Sequence, residues 1–353
     1  MNPLVIFFMI MAFIGLADKL IGNKAGLGKA FDNGLAIMGD FVLYLLGVYV
    51  VCITIADTYH EEIAAATAGW LFDPSVLAGC IITLDMGGYP LCKAIAHTAA
   101  TGTFSAICLA GTLGTLVTFY LPTFLSKAEG EQRDNLLLGF LYGIVVIPVT
   151  AFIAGLVLKI PVIELLKNLL PVIVVCALLL VGLIKFKKVS IIILKVIGNG
   201  FKAITFTTFA VVAFSIIVPS KSVVDLELAS STVVMVFRMT MNVIGALVAM
   251  ELIQKILKKP LSKLAGILGI NDTSLSGMII GIPGGIAMLP LLPEMDRKGM
   301  ILNGAFAVSA FYTFGGQMAF IAANEPLSGL LIFFFAKVVG GVLAVLLACK
   351  MEK

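Results

Sequence analysis

Long apolar stretches recur along the chain, and they constrain the fold more than any other feature. The stretches at 102–124 and 136–158 contain no charged residue, and each is long enough for a helix across a hydrocarbon core about 30 Å thick. Only 12% of the 353 residues are charged, whereas about a quarter are charged in an ordinary soluble domain. The chain has too little polar surface for a soluble fold, so we expect an all-α polytopic membrane protein.

Hydropathy predicts about nine spanning helices and two further apolar stretches that are interrupted. The predicted spans lie near 3–17, 35–56, 102–124, 136–158, 169–184, 196–218, 230–253, 302–323 and 328–349. The interrupted stretches are 74–96, with Asp85-Met86-Gly87-Gly88-Tyr89-Pro90 at mid-length, and 275–293, with Pro283-Gly284-Gly285. Because an uninterrupted spanning helix rarely contains such glycine and proline clusters, we expect both stretches to be broken or re-entrant.

The two interrupted stretches resemble each other. Some residues of the first stretch recur 198 positions later in the second: Leu77, Gly79 and Gly87 match Leu275, Gly277 and Gly285. Inverted repeats with discontinuous helices are common in secondary transporters. We therefore predict two inverted repeats, at 1–160 and 191–353, joined by a connecting helix within 161–190.

Basic residues favour re-entrant hairpins over full crossings. If both interrupted stretches return to the side from which they entered, one side of the membrane collects Lys185, Lys187, Lys188, Lys255, Lys258, Lys259, Lys263, Arg297, Lys298, Lys350 and Lys353. Cytoplasmic loops carry an excess of Lys and Arg. We expect a cytoplasmic C-terminus and an outside N-terminus, with a retained first helix because no basic n-region precedes it.

Asp85 is the main candidate for a functional side chain. It follows a ten-residue apolar run, so its carboxylate should lie well inside the membrane, where an unpaired charge costs about 3 kcal/mol. The functional interpretation is a ligand for a cationic substrate or for a coupling Na⁺ or H⁺. The structural alternative is a cap on the second half-helix, for which Asp is also favoured.

Residues beside the two breaks, with polar residues in apolar segments, complete the predicted substrate site. Glycines allow close approach of the backbone to a ligand, although they also allow tight helix packing. Neutral amides are candidates for hydrogen bonds to the substrate, or between helices. The predicted site contains Asp85, Met86, Gly87, Gly88, Tyr89, Pro283, Gly284, Gly285, Gln317, Asn324 and Asn242.

Three further charged residues are candidates for an ion pair or for coupling. Asp40 and Arg238 lie 198 positions apart inside predicted spans, and they could form one intramembrane pair or could snorkel separately to the interface. Lys93 could neutralise Asp85. The six cysteines form no CxxC pair and no basic run is interleaved with aromatics, so we predict no metal, no cofactor and no nucleic-acid partner.

Several sequence motifs resemble the EutH family of ethanolamine-utilisation transport proteins. They are LDMGGYPLCKAIA (84–96), SGMIIGIPGGIAM (276–288), MDRKGMILNGAFAVSAF (295–311) and MAFIAAN (318–324). The likeness also covers GIVVIPVTAFIAGLV (143–157) and LPVIVVCALLLVGL (170–183). It implies uptake of ethanolamine across a bacterial inner membrane, with Asp85, Met86, Gly87, Gly88 and Lys93 at the family's motif.

The chain departs from the family pattern at two places. Gly284 and Gly285 stand where the family typically has two asparagines, and Gly316 and Gln317 stand where it has an Asp-His pair. Because lost polar groups change selectivity or coupling, a related amine or another small metabolite stays open as the substrate.

Together these features predict a secondary transporter for a small polar solute, with ethanolamine or a related small amine as the first choice. The predicted mechanism is alternating access around a mid-membrane site at two hairpin tips. A passive facilitator or channel is the first alternative, and a membrane enzyme acting on lipid head groups is the second, although no HExxH or nucleotide loop supports it. The partners expected are the bilayer, the amine and an H⁺ or Na⁺ coupling ion. The choice of ion and a homo-oligomeric state stay open.

Overall fold

The computed structural model describes residues 3–256 and 258–352, except for the side chains at positions 57, 60, 64, 258, 259 and 261. These residues form helices and connecting turns, with no strand among them. The helices are α1 (Pro3–Leu20), α2 (Leu27–Ala56), α3 (His60–Thr67), α4 (Pro74–Ile81), α5 (Tyr89–Ile95), α6 (Ala99–Lys127), α7 (Gly130–Val157), α8 (Val162–Lys185), α9 (Lys187–Ile217), α10 (Leu226–Ile256), α11 (Lys258–Leu268), α12 (Asp272–Gly281), α13 (Arg297–Ala310), α14 (Gly316–Asn324) and α15 (Leu327–Met351), with a 3₁₀ helix at Gly285–Glu294.

Eight of the helices in the described part of the chain are long and apolar enough to cross a membrane. They are α1, α2, α6, α7, α8, α9, α10 and α15. The bent pair formed by α11 and α12 raises this number to nine if it is counted as one span. The predicted all-α polytopic membrane fold is thereby confirmed.

Both interrupted stretches are hairpins. Asp73 caps α4, and its carboxylate also accepts a hydrogen bond from the backbone N–H of His97, 2.8 Å away at the far end of the first hairpin (residues 73–97). Asn271 caps α12, and its backbone N–H donates to Asp296 at 3.0 Å, at the far end of the second hairpin (residues 271–296). Because the two ends of each stretch meet, each hairpin returns to the side from which it entered.

The first hairpin reverses slightly earlier than the sequence suggests. Ile82 and Thr83 have extended backbone conformations, and Gly87 has a left-handed φ of 91°. Pro90 does not lie in the break but in the first turn of α5. Proline is tolerated there because the N–H groups of a first turn have no acceptor within the helix. The break therefore comprises residues 82–88, and Asp85 lies inside it.

The predicted span at 302–323 is not one helix, which corrects the sequence-based assignment. α13 ends at Ala310 and α14 begins at Gly316. Between them, the backbone N–H groups of Tyr312 and Phe314 donate to the carbonyls of Gly281 and Ile282 in the second hairpin, at 3.2 and 3.1 Å. The break exists because these N–H groups are bonded to a distant segment instead of to their own helix.

Matched helix caps recur at the separation on which the internal repeat was predicted. Asp73 and Asn271 cap α4 and α12, and Thr98 and Asp296 cap α6 and α13. In each pair the two residues are 198 positions apart. The inverted repeat and its division of the chain stay a prediction, which this correspondence supports.

Basic side chains gather at one end of the helices, here called the basic end. Lys187 pairs with Asp134 between the starts of α9 and α7, and Arg297 pairs with Glu352 at 2.8 Å, so these helix ends lie together. The basic end carries Lys19, Lys24, Lys29, Lys127, Arg133, Lys185, Lys187, Lys188, Lys255, Lys263, Arg297, Lys298 and Lys350. The positive-inside rule predicts that this end is cytoplasmic. The second hairpin enters from the basic end and the first from the opposite end.

Helix α6 lies at the centre of the protein. Of the 18 most apolar consecutive residues of α6, 94% are buried, whereas the corresponding share is 17% for the peripheral helix α9. Much of α6 has wide π-helical turns, at Phe104–Gly114 and Leu116–Tyr120, which are frequent at functional sites. Gly114 lets the carbonyl of Ile82 approach the helix closely, so the tip of the first hairpin packs against the middle of α6.

Candidate functional site

A cavity of about 390 Å³ lies where the tips of the two hairpins meet. This volume is within the range of small-molecule sites, about 300–1,000 Å³. The lining residues come from α2, the first hairpin, α6, α10, the second hairpin, the α13–α14 break and the start of α14. They are Ile37, Asp40, Phe41, Tyr44, Thr83, Asp85, Met86, Thr115, Phe119, Val243, Pro283, Gly284, Ile286, Ala287, Tyr312, Gly316 and Gln317. We call this space the central cavity.

The charged residues that line the central cavity are two carboxylates, Asp40 and Asp85. No Lys, Arg or His belongs to the lining. Four aromatic rings surround the same space, from Phe41, Tyr44, Phe119 and Tyr312. Carboxylates attract a cation directly, and aromatic faces attract a cation through the ring quadrupole. The cavity is therefore suited to a small positively charged solute.

A chain of hydrogen bonds connects Asp85 with α14. Thr83 Oγ1 lies 3.2 Å from Asp85 Oδ1 and 2.7 Å from Thr115 Oγ1 in α6. Gln317 Nε2 then donates to Thr115 Oγ1 at 2.8 Å. The chain fixes the tip of the first hairpin to the start of α14, across the middle of the protein.

Gln317 also presents an unused acceptor. Its side chain is 2% exposed, and its Oε1 is buried without a hydrogen-bond partner. Leaving a buried acceptor unpaired costs roughly 1–3 kcal/mol. Since Gln317 lines the central cavity, a hydroxyl or ammonium group of a ligand there would relieve this cost.

The tip of the second hairpin forms the opposite wall. Gly284 has an extended conformation, and a Cβ added there would meet no atom within 4 Å. Gly315 in the α13–α14 break lies directly against the carbonyl of Pro283. The second hairpin and the α13–α14 break therefore form one packed unit, with open space on the side of Gly284.

The structure brings together six of the predicted site residues. Asp40, Asp85, Met86, Pro283, Gly284 and Gln317 all line the central cavity. Three of the predicted glycines instead have packing roles. A Cβ on Gly87 would lie 2.5 Å from Cys52 Sγ, one on Gly88 would lie 2.6 Å from the carbonyl of Thr83, and one on Gly285 would lie 2.7 Å from the ring of Phe311.

Tyr89 and Lys93 lie outside the central cavity and share one partner, Glu325. Tyr89 Oη donates to Glu325 Oε1 at 2.8 Å, and Lys93 Nζ lies 2.7 Å from the same oxygen. We call these three residues the Glu325 cluster. Asn324 is next to it and accepts a hydrogen bond from Tyr49 at 3.4 Å. Lys93 therefore pairs with Glu325 and not with Asp85, and the cluster connects the first hairpin to the end of α14.

Arg238 and Asn242 lie in a different place from the one expected. Both line a side pocket of about 480 Å³ between α1, α10 and α14, together with Val5, Met9, Phe237, Met241, Ala322 and Ala323. Asp40 lines the central cavity, and it forms no ion pair with Arg238. The predicted pair fails because the two helices turn these side chains toward different spaces, which a separation along the chain does not reveal.

Lys337 in α15 was not among the residues predicted from the sequence. This side chain is 1% exposed, and its Nζ donates to the backbone carbonyl of Phe311 at 3.0 Å. The sequence contained a signal, because Lys337 is a single charge in the middle of the apolar stretch 328–349. Thr83, Thr115 and Tyr312 were also missed, and their types carry no such signal. The described residues contain no group of His, Cys, Asp and Glu that would hold a metal ion.

Membrane-spanning helices around a cavity with two carboxylates define a multi-pass membrane protein with an internal cavity of a size that suits a small solute. The chain belongs to the EutH family, since the sequence model described as "Ethanolamine utilisation protein, EutH" matches residues 1–351. This result confirms the resemblance seen in the motifs around the two breaks.

Relatives of known sequence match nearly the whole chain. A protein of Listeria monocytogenes (serotype 1/2a, strain 10403S) named probable ethanolamine permease EutH is 31% identical over 355 residues, which cover 98% of this chain and 92% of the relative. A protein of Salmonella typhimurium with the same name is 26% identical over 388 residues, covering 97% and 92%. YxeR of Bacillus subtilis, named an uncharacterized protein, is 28% identical over 348 residues, covering 98% and 93%. No solved structure matches the chain.

Proposed function

We propose that this protein carries ethanolamine, or a closely related small amine, across the membrane as its ammonium form. The observation that carries the proposal is the charge of the central cavity, where Asp40 and Asp85 are the charged lining residues. The names of the Listeria and Salmonella relatives agree with this substrate. Transport, and not catalysis, is the function that both observations favour.

Asp85 is the residue assigned to the ammonium group. It lies in the break of the first hairpin, is held by Thr83, and is partly open to the central cavity. A charge-assisted hydrogen bond between an ammonium and a carboxylate is worth about 1.5–3 kcal/mol. Gln317 Oε1, the unpaired acceptor on the same hydrogen-bond chain, is assigned to the hydroxyl group of the substrate.

Alternating access is the mechanism proposed for this site. The two hairpins enter from opposite ends of the protein, and their tips meet at the central cavity. The Glu325 cluster holds the first hairpin against α14 at the end opposite the basic end. Opening toward that side would require this cluster to separate, whereas opening toward the basic end would require movement of the second hairpin.

The proposal is tested by binding to the purified protein in detergent, measured by isothermal titration calorimetry. Ethanolamine is compared with ethylene glycol, which has a similar size and a hydroxyl but no charge. We expect ethanolamine to bind and ethylene glycol not to bind at the same concentrations. Equal binding of the two compounds would contradict recognition of the ammonium by Asp85.

A passive facilitator differs from a coupled carrier in one measurable respect. With the membrane potential held at zero, and with empty liposomes as the control for diffusion of the neutral amine, an imposed proton or sodium gradient would drive protein-dependent accumulation of ethanolamine in proteoliposomes above the external concentration only if transport is coupled. Simple equilibration under both gradients would favour a facilitator with the same binding site.

A further inference from the structure

Lys337 places a cation in the interior of the protein that the proposed binding of the substrate does not use. It is the eleventh residue of α15, about 15 Å along the helix from Leu327, and its side chain is buried among apolar residues. A charged side chain at this depth of a membrane is costly and is usually retained for a function. Simple packing would be served better by an apolar residue of the same volume.

The partner of Lys337 is a backbone carbonyl that has no N–H donor within a helix, because the helix is interrupted at the α13–α14 break. In a continuous helix the N–H of Gly315 would bond to the carbonyl of Phe311, but here it donates to Tyr312 at 3.2 Å. The Phe311 carbonyl accepts instead from Lys337 Nζ at 3.0 Å and from Tyr120 Oη at 3.1 Å. Lys337 forms no ion pair with any carboxylate among the described residues.

In secondary transporters, backbone carbonyls without a helical partner at broken helices coordinate coupling cations such as Na⁺. Here the same kind of carbonyl is occupied by an ammonium that belongs to the chain. The ring of Phe333 lies 5.6 Å from Nζ and adds a cation–π contact. The site at the α13–α14 break therefore has the features of a monovalent-cation site that is already filled.

Lys337 also lies close to the first hairpin. Its stem passes Gly111 of α6, beside Leu84 of the first hairpin. Lys337 is thus positioned to influence both the α13–α14 break and the first hairpin.

We propose that the ammonium of Lys337 is a tethered cation that fills a monovalent-cation site formed by the Phe311 carbonyl and Tyr120. It acts there as a positioning residue, which holds the α13–α14 break in place. A sodium ion is then not required at this position. The consequence for transport rests on the proposed function, whereas the existence of the cation site does not.

The test compares Lys337→Ala with Lys337→Met, each checked for folding by size-exclusion chromatography. Alanine leaves space for a free cation, and n-propylammonium has the chain length that this substitution removes. Methionine fills the same space with an apolar group. Lys350→Ala, an exposed lysine near the end of the same helix, is the matched control.

The first readout is the melting temperature in detergent, which does not depend on any transport activity. We expect n-propylammonium to raise the melting temperature of Lys337→Ala by at least about 2 °C more than that of the wild type, Lys337→Met and Lys350→Ala, which share any binding of this amine in the central cavity. Sodium chloride in place of n-propylammonium tests whether the smaller ion also binds. If neither cation stabilises Lys337→Ala selectively, the cation site does not exist.

The second readout is ethanolamine uptake into proteoliposomes in sucrose buffer without sodium or potassium. We expect wild-type uptake to be unchanged by added sodium, Lys337→Ala to lose at least tenfold, and n-propylammonium or sodium to restore it in Lys337→Ala but not in Lys337→Met. A wild type that requires sodium, or a Lys337→Ala variant with normal uptake in this buffer, would overturn the proposal. If the wild type itself takes up no ethanolamine, the proposed function fails, and the melting temperatures still decide the cation site.

Discussion

Gln317 Nε2 at the start of α14 lies 2.8 Å from Thr115 Oγ1 in the middle of α6, and its Oε1 has no partner. The side-chain amide of Gln317 therefore connects α14 with α6 and keeps one acceptor available at the central cavity. Under the proposed function, Gln317 is the residue best placed to distinguish a hydroxylated amine from an alkyl amine of the same size.

Replacement of Gln317 should reduce selectivity for the hydroxyl group. In Gln317→Met, which keeps a similar volume, we expect the affinity for ethanolamine to fall roughly tenfold because a buried acceptor is lost. The affinity for ethylammonium, which has no hydroxyl, should change much less. Calorimetric titration of both amines measures the ratio, and an equal loss for both would mean that Gln317 does not recognise the hydroxyl.

The two hairpin tips should differ in their tolerance of a small side chain. Gly87 has a φ of 91°, and a Cβ would lie 2.5 Å from Cys52 Sγ, so we expect Gly87→Ala to destabilise the protein by about 1–3 kcal/mol. Gly284 is extended, with no atom within 4 Å of an added Cβ, and Gly284→Ala should fold as the wild type does. Thermal unfolding in detergent compares the two variants. A reversed order of their melting temperatures would contradict the conformation described for the tips.

Lys93 and Glu325 should be energetically coupled. The side chain of Glu325 is only 10% exposed, so screening by solvent is weak and a coupling of about 0.5–3 kcal/mol is expected. A double-mutant cycle with Lys93→Met and Glu325→Gln, followed by thermal unfolding, measures it. The exposed pair of Lys19 and Asp32 is the control, for which about 0.5 kcal/mol or less is expected. Additive effects at Lys93 and Glu325 would show that the Glu325 cluster does not hold the first hairpin.

Labelling of single cysteines should show that the first interrupted stretch is a hairpin. Cysteines at Gly69 and at His97 flank this stretch, and both should react with a membrane-impermeant thiol reagent from outside intact cells. A cysteine at Lys187, at the basic end, should react only after the membrane is opened. If Gly69 and His97 label from opposite sides, the stretch crosses the membrane, and labelling of Lys187 from outside would reverse the orientation.

The sequence predicted those parts of the fold and site that depend on local chemistry. Glycine and proline clusters identified both hairpins, and an aspartate inside an apolar stretch identified Asp85. The break at residues 311–315 was not predicted, because it depends on hydrogen bonds to Gly281 and Ile282 that form only in the folded chain. The partner of Lys93 escaped prediction for the same reason, since Glu325 is distant along the chain.

Lys337 shows a different limit of sequence interpretation. Its charge was visible in the sequence, but the high mean hydropathy of the surrounding stretch concealed it. Arg238 and Asp40 had equally visible charges, and their placement in separate pockets follows from the rotation of α2 and α10 about their axes. Hydropathy therefore locates a span, whereas the direction of a side chain within it is decided by packing.

Uptake of labelled ethanolamine into proteoliposomes, with the wild type beside Asp85→Asn, tests the central claim most directly. Asp225→Asn, which changes an exposed cap of α10 in the same way, is the matched control. We expect saturable uptake by the wild type and by Asp225→Asn, and a loss of roughly ten- to hundredfold in Asp85→Asn at low substrate concentration, with folding retained. Normal uptake by Asp85→Asn would contradict the assignment of this carboxylate to the ammonium group, and no uptake by a folded wild type would contradict ethanolamine as the substrate.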